Sequence, residues 1–291
     1  MNLGTPSNSS PPLLPYAWML ASAASFSLMA ICTAALQPIC DWKIIAIFRA
    51  GLAMLFAAAL AWQAGAKFVV FRPKTLWMRS IAGSISLLCG FYAMTHHGLS
   101  EVLVLTNMYP LWVAVLSWPI LGELPSMEVW AAILLSIAGM CLMQPPQAIE
   151  GQLAFGAALL SSFTSGIALI GLHKLKQLDP RAIVTHFSGV ALLMSVASCF
   201  LFEQQRVTTV APLTVALLFG VGAAATAGQL CLTKAFTTGN AARVAVVGLS
   251  QVAMVMLLEI LLWNRSFRLQ TLLGMGLVVT PTAWMMLRRA Q

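Results

Sequence analysis

Ten stretches of roughly twenty mostly apolar residues follow one another along this chain, and nothing else about it restricts the possible folds so severely. They run at Leu14–Leu36, Trp42–Trp62, Thr75–Thr95, Glu101–Leu121, Met127–Met143, Leu153–His173, Ala182–Phe202, Pro212–Ala235, Ala241–Trp263 and Leu269–Leu287. A helix rises 1.5 Å per residue, so about 20 residues cross the roughly 30 Å of hydrocarbon in a bilayer. Charge is scarce: of 291 residues, 16 are Lys or Arg and 8 are Asp or Glu. That 8% compares with roughly 25% in soluble domains, too little to cover a water-facing surface. A mean hydropathy of +0.88 agrees. A soluble enzyme, a disordered chain and a nucleic-acid binder are set aside, and the connections are too short for a soluble catalytic domain. The expected fold class is all-α: a polytopic membrane protein with ten transmembrane helices.

Residues 1–13 hold no Lys or Arg, and the apolar run after them is longer than the core of a signal peptide. They are expected to form a disordered cytoplasmic tail, with the first helix retained. Orientation follows from the excess of cations on cytoplasmic loops. With the N-terminus inside, eleven cations fall on the cytoplasmic side: Lys67, Arg72, Lys74, Arg79, Lys174, Lys176, Arg181, Lys234, Arg243, Arg288 and Arg289. Four fall outside: Lys43, Arg206, Arg265 and Arg268. Both termini are therefore expected in the cytoplasm, and the net charge of +8 needs no nucleic acid. The six cysteines are scattered without paired spacing, which argues against a disulfide framework or a thiolate metal site.

An internal repeat organises the ten segments. An offset of 142 residues aligns Ala93, Thr95, Val102 and Val104 with Ala235, Thr237, Val244 and Val246. Both stretches leave a helix rich in small residues, make a short polar turn and enter the next helix. The offset divides the chain into five segments plus five, residues 14–145 and 146–291, joined near Gln144–Gln147. An odd number per copy means that the second copy enters the bilayer inverted. Inverted repeats of this kind occur in secondary transporters, where substrate binds near the midplane between the halves.

The chain resembles the EamA-type members of the drug/metabolite transporter superfamily over Leu14 to Arg289. The resemblance is carried by Ile47-Phe-Arg49-Ala-Gly51, Gly90-Phe-Tyr-Ala-Met-Thr95, Asn107-Met-Tyr-Pro-Leu-Trp112 and Leu121-Gly-Glu123. In the second half Gly228-Gln-Leu-Cys-Leu-Thr-Lys-Ala-Phe236 and Ala242-Arg-Val244 run parallel to them. The family resemblance implies two inverted five-helix halves around a cavity lined mainly by spans 1, 3, 4, 6, 8 and 9, with spans 5 and 10 peripheral. Asn264-Arg265 departs from the Gly-Glu expected after span 9.

Several intramembrane residues are candidates for chemistry. Arg49 lies roughly 11 Å along the second span, a depth at which a cation costs about 2.5–3.5 kcal/mol to insert. It either counters an anionic group of a substrate or clamps the halves by bonding carbonyls or Glu259. In the fourth span Pro110 cannot bond the carbonyl of Thr106, so a kink is expected beside Thr106, Asn107 and Tyr109, a ledge for substrate. Thr226 and Gln229 share a helix face, and Ser250 and Gln251 follow on the next span. Tyr92, Ser84 and Trp18 complete a neutral-polar and aromatic set of substrate-binding candidates. Their bland alternative is hydrogen bonding between helices, worth about 0.6 kcal/mol each. No carboxylate cluster suits a metal ion, and no cofactor is expected. Protons are the candidate coupling ion, through Glu101 or Glu259 near the outer ends of spans 4 and 9.

These observations point to a secondary active or facilitative transporter, an exporter of small organic metabolites such as amino acids or related amphipathic solutes. The expected setting is a bacterial inner membrane. The rival class is a channel, scramblase or structural membrane protein. An intramembrane protease is disfavoured: Gly248-Leu-Ser250-Gln251 lacks the glycine of a rhomboid-like site, and no Asp lies within a span.

Overall fold

The computed structural model describes residues 13–96, 99–143, 152–201, 211–263 and 269–287. Among them are twelve helices and no strand. In the first half these are α1 (Leu14–Leu36), α2 (Trp42–Gln63), α3 (Lys74–His96), α4 (Leu99–Thr106), α5 (Tyr109–Leu121) and α6 (Met127–Met143). In the second they are α7 (Gln152–His173), α8 (Pro180–Leu201), α9 (Pro212–Thr238), α10 (Ala241–Gly248), α11 (Ser250–Trp263) and α12 (Leu269–Leu287).

Local chemistry sets the ends of these helices. The Asp41 carboxylate accepts from the Lys43 amide at 2.9 Å to start α2, and the Asn240 side chain accepts from the Arg243 amide at 3.1 Å to start α10. Gly122, at φ 74°, ends α5 in the left-handed conformation that a side chain would disfavour. Pro15 and Pro212 occupy first-turn positions, where the missing amide hydrogen has no helical partner to lose.

The fourth span is broken, as the proline predicts: α4 stops at Thr106, and α5 restarts with Pro110 in its first turn. The ninth span is broken as well, at Leu249 between α10 and α11, and no proline stands there. Asn107 and Leu249 are 142 residues apart, the offset of the repeat.

Helix pairing follows the same relation. The helix α1 packs on α9 as α7 packs on α3; α2 packs on α9 as α8 packs on α3; α5 packs on α7 as α11 packs on α1. Contacts between α2 and α8 and between α6 and α12 map onto themselves. The interface between the halves is therefore the main packing surface of the molecule. Glycines allow its closest approaches. A Cβ at Gly139 would lie 2.7 Å from the Gly274 carbonyl oxygen, and one at Gly228 would lie 2.8 Å from the Phe26 ring.

Eight helical segments are long and apolar enough to cross a membrane, with Val102–Leu121 and Ala241–Leu262 each counted through its break. Of the ten expected spans, α3 is the right length but less apolar, because it carries Lys74 and Arg79. The helix α6 is apolar but has 17 residues. Large apolar side chains such as Leu55, Leu193, Phe200, Leu213 and Leu261 face outward, while serines and threonines are buried between helices. That inside-out distribution suits hydrocarbon. Many of the buried hydroxyls are satisfied within their own helices, as where Ser84, Ser117 and Thr233 each donate to the carbonyl four residues back at 2.7 Å. The fold is that of an integral, all-α polytopic membrane protein.

Candidate functional site

Two adjoining cavities, of about 210 and 200 Å³, lie between the halves. Arg49, Ser86, Leu87, Tyr109, Ser165 and Gln251 line both, so they form one chamber. The break after α4 delivers Tyr109 to this chamber together with Thr106 and Asn107. The second break sets Gln251 in its wall as well. Each interruption thus turns a polar residue toward the space between the repeats.

Several candidates from the sequence meet here. Thr106 and Asn107 donate to carbonyls of their own helix, at 2.9 Å to Val102 and 2.8 Å to Leu103. Tyr109 Oη donates to the Ala245 carbonyl at 3.4 Å, across the halves. Gln229 and Gln251 come from α9 and α11. Other candidates are engaged elsewhere. Trp18 lies under the Lys234 ammonium at 4.2 Å, Tyr92 packs edge-on against Trp42, and Ser84 Oγ donates to Ser80. Thr226 Oγ1 donates to the Gly222 carbonyl at 2.7 Å, and Ser250 is buried outside the cavity lining. Glu259 is buried on α11. The side chain of Glu101 lies outside the described residues.

The resemblance assigns the lining mainly to spans 1, 3, 4, 6, 8 and 9; the second span adds Arg49 and the seventh adds Phe187. Arg49 is 7% exposed, and its Nε donates to Met29 Sδ at 3.3 Å. The larger correction concerns Arg79, which the loop count placed on the cytoplasmic side. It is 2% exposed, on α3, and its guanidinium lines the chamber beside Arg49. Lys43, counted outside, is buried as well, 3.8 Å from Asp41.

Arg79 is held by a specific cradle. Its Nη2 donates to Gln229 Oε1 at 3.0 Å, and its Cζ lies 4.1 Å from the centroid of the Phe187 ring. An arginine has no acceptor, so the Gln229 carbonyl oxygen must face it and the amide nitrogen faces away. Gly83, one helical turn on, leaves the slot that the guanidinium fills; a Cβ there would overlap Nη1. Arg79 Nε is buried without a hydrogen-bond partner among the described residues. Each cation buried at such depth costs about 2.5–3.5 kcal/mol to insert. Among the described residues lining the chamber there is no carboxylate.

An apolar cluster that includes Tyr16, Met19, Leu169, Leu172, Leu232 and Phe236 adjoins the chamber, whose wall takes Met19, Leu169 and Leu232 from it. Beyond it the two halves are tied at their ends. Glu123 Oε2 accepts from Asn240 Nδ2 at 3.2 Å, and Glu123 Oε1 lies 3.9 Å from His173 Nε2. His173 Nδ1 in turn meets the Phe236 carbonyl at 2.9 Å.

Comparison with known proteins agrees with this architecture. The pseudopaline exporter CntI of Pseudomonas aeruginosa, in two strains, is 27% identical over 204 residues, covering 69% of this chain and 71% of the relative. A solved crystal structure shares the fold with a TM-score of 0.81 at 15% identity, covering 92% of this chain and 96% of that one. The EamA-like transporter family matches twice, over residues 13–144 and 152–287. This chain belongs to the EamA-like transporter family.

Proposed function

We propose that this chain is a secondary carrier that exports small organic metabolites from a bacterial cell across its inner membrane, by alternating access. In this reading residues 14–145 and 146–291 are inverted copies, ten spans in all, with both termini in the cytoplasm. The observation that carries it is the chamber between the two copies, flanked by helix breaks one repeat length apart. A cavity shared by halves whose contacts interchange can pass between two mirror-related states. The named export activity of the relative supports the direction. Thr106, Asn107, Tyr109, Gln229 and Gln251 are the proposed contacts for the solute's hydrogen-bonding groups, and Glu101 or Glu259 the proposed route of proton coupling. Glu123, His173 and Asn240 would close the cytoplasmic end. Without the buried Arg79 and Lys43, the remaining flanking cations still fall mostly on that side.

The test is solute flux in proteoliposomes loaded with candidate metabolites. A carrier shows saturation and acceleration by solute on the far side. Flux that rises linearly with concentration and shows no counterflow would instead indicate a channel. If the Glu101→Gln/Glu259→Gln variant kept full dependence on a pH gradient, the coupling route would be wrong. Tags accessible from opposite sides of the membrane at the two termini would overturn the inverted arrangement.

A further inference from the structure

We infer that the solute carried by this chamber is an amphipathic organic anion whose acidic head is held between Arg49 and Arg79. The inference rests on the carrier reading above and specifies its substrate class. Both guanidiniums are more than nine-tenths buried, both line the same cavity, and they lie close enough to repel one another. Neither touches bulk water freely, and the described lining supplies no counter-charge. Two like charges held in an apolar protein, facing one space, are stabilised by whatever anion enters it.

The rest of the wall describes the remainder of the solute. Gln229 turns its carbonyl to Arg79, leaving its amide nitrogen to donate to an acceptor in the cavity. Tyr109 and Gln251 add further polar contacts beside Arg49. Phe26, Leu169 and Leu232 provide an apolar surface that a small inorganic anion would leave uncovered. An acidic head, a neighbouring hydrogen-bonding group and an apolar body match all three. The planar guanidinium fork serves carboxylate and phosphate alike. A cationic or neutral solute would leave both arginines unneutralised.

The experiment uses the purified full-length protein in detergent and matched ligands on shared carbon skeletons. Succinate is compared with succinamide and 1,4-diaminobutane. 3-Phenylpropanoate is compared with its amide, its amine and the corresponding phosphonate. An anion that binds the folded protein at concentrations well above its Kd should raise the melting temperature by about 2 °C or more. Amide and amine partners should leave it unchanged. Arg49→Gln and Arg79→Gln should each abolish the rise. Where a Gln variant does not fold, Arg49→Lys or Arg79→Lys keeps the charge, loses the fork and should weaken the response roughly tenfold in ligand concentration. A phosphonate effect above that of the carboxylate supports the inference and identifies the head group. Stabilisation by amide or amine equal to that by the acid would overturn it. So would an acid response that persists in the Arg49→Gln/Arg79→Gln variant, or a panel in which no acid acts. Saturable flux of the amine but not the acid would defeat this inference and leave the carrier reading standing. Anion stabilisation without saturable flux of any ligand would do the reverse.

Discussion

Replacing Gly83 with alanine tests the cradle of Arg79 without altering charge. The added Cβ would overlap Arg79 Nη1 and approach Phe187 Cε2 to 2.9 Å, so the guanidinium must leave its slot or the ring must turn. Leaving the slot breaks the bond to Gln229, worth about 1.5–3 kcal/mol for a charged donor. It also lifts the cation from the Phe187 face, worth about 0.5–2 kcal/mol. The lower ends together give about 2 kcal/mol, or ~4–8 °C in Tm at the ~2–4 °C per kcal/mol seen in larger domains. Gly276→Ala is the control, because nothing lies within 4 Å of a Cβ at that position. That exchange should hold or raise Tm, since alanine favours a helix over glycine by about 1 kcal/mol. Thermal unfolding of the three purified proteins decides the matter. A Gly83→Ala protein melting within about 1 °C of the Gly276→Ala protein would refute the packing argument. A double-mutant cycle adds a second check: once Arg79→Ala has emptied the slot, the Phe187 ring has room to turn and Gly83→Ala should cost clearly less than it does in the parent protein.

Three other outcomes follow from the same contacts. Gln229→Leu removes the acceptor for a buried cation, so it should lower Tm more than Thr233→Val, whose hydroxyl bonds only within its helix; equal losses would count against the Arg79–Gln229 pair. Trp112→Phe deletes the 3.1 Å indole bond to Ser162 and should destabilise by about 1 kcal/mol, read from thermal unfolding; no change would mean that this bond does not help seat α5 on α7. Glu123→Ala should change stability by less than about 1 kcal/mol, because the carboxylate is half exposed. It should nonetheless speed maleimide labelling of a Leu169→Cys reporter in a background lacking the six native cysteines, and an unaltered rate would show that Glu123 does not hold that end shut.

The helices themselves were readable because hydrocarbon imposes one length and one polarity on every crossing segment. The break beside Asn107 was readable for a different reason, as proline announces the loss of an amide hydrogen. Its counterpart at Leu249 had no such marker: Gly248 and Ser250 flank it without a proline, and only the repeat offset points there. Arg79 was misplaced because it stands five residues after Lys74, where a cation on a helix end ordinarily reaches for water. Two signals could have corrected this: the residue lay inside its own expected span, and Gly83 one turn later left room for a large head group. Gln229 was legible because an amide seldom faces lipid. Its partner was not, since the pairing joins residues 150 positions apart through tertiary structure alone. Phe187 carried no signal that separated it from other apolar residues of its span.

Only one of the two helix interruptions is chemically permanent. Pro110 has no hydrogen to offer the Thr106 carbonyl, so the turn joining α4 to α5 can never gain that helical bond. The corresponding position in the second copy is Val252, whose amide donates to Leu249 at 3.1 Å, one residue short of its regular helical acceptor, Gly248. Moving that amide to the Gly248 carbonyl would complete the turn and carry the neighbouring Gln251 with it. The duplicated units therefore differ in stiffness: one elbow is welded, and the other keeps a joint.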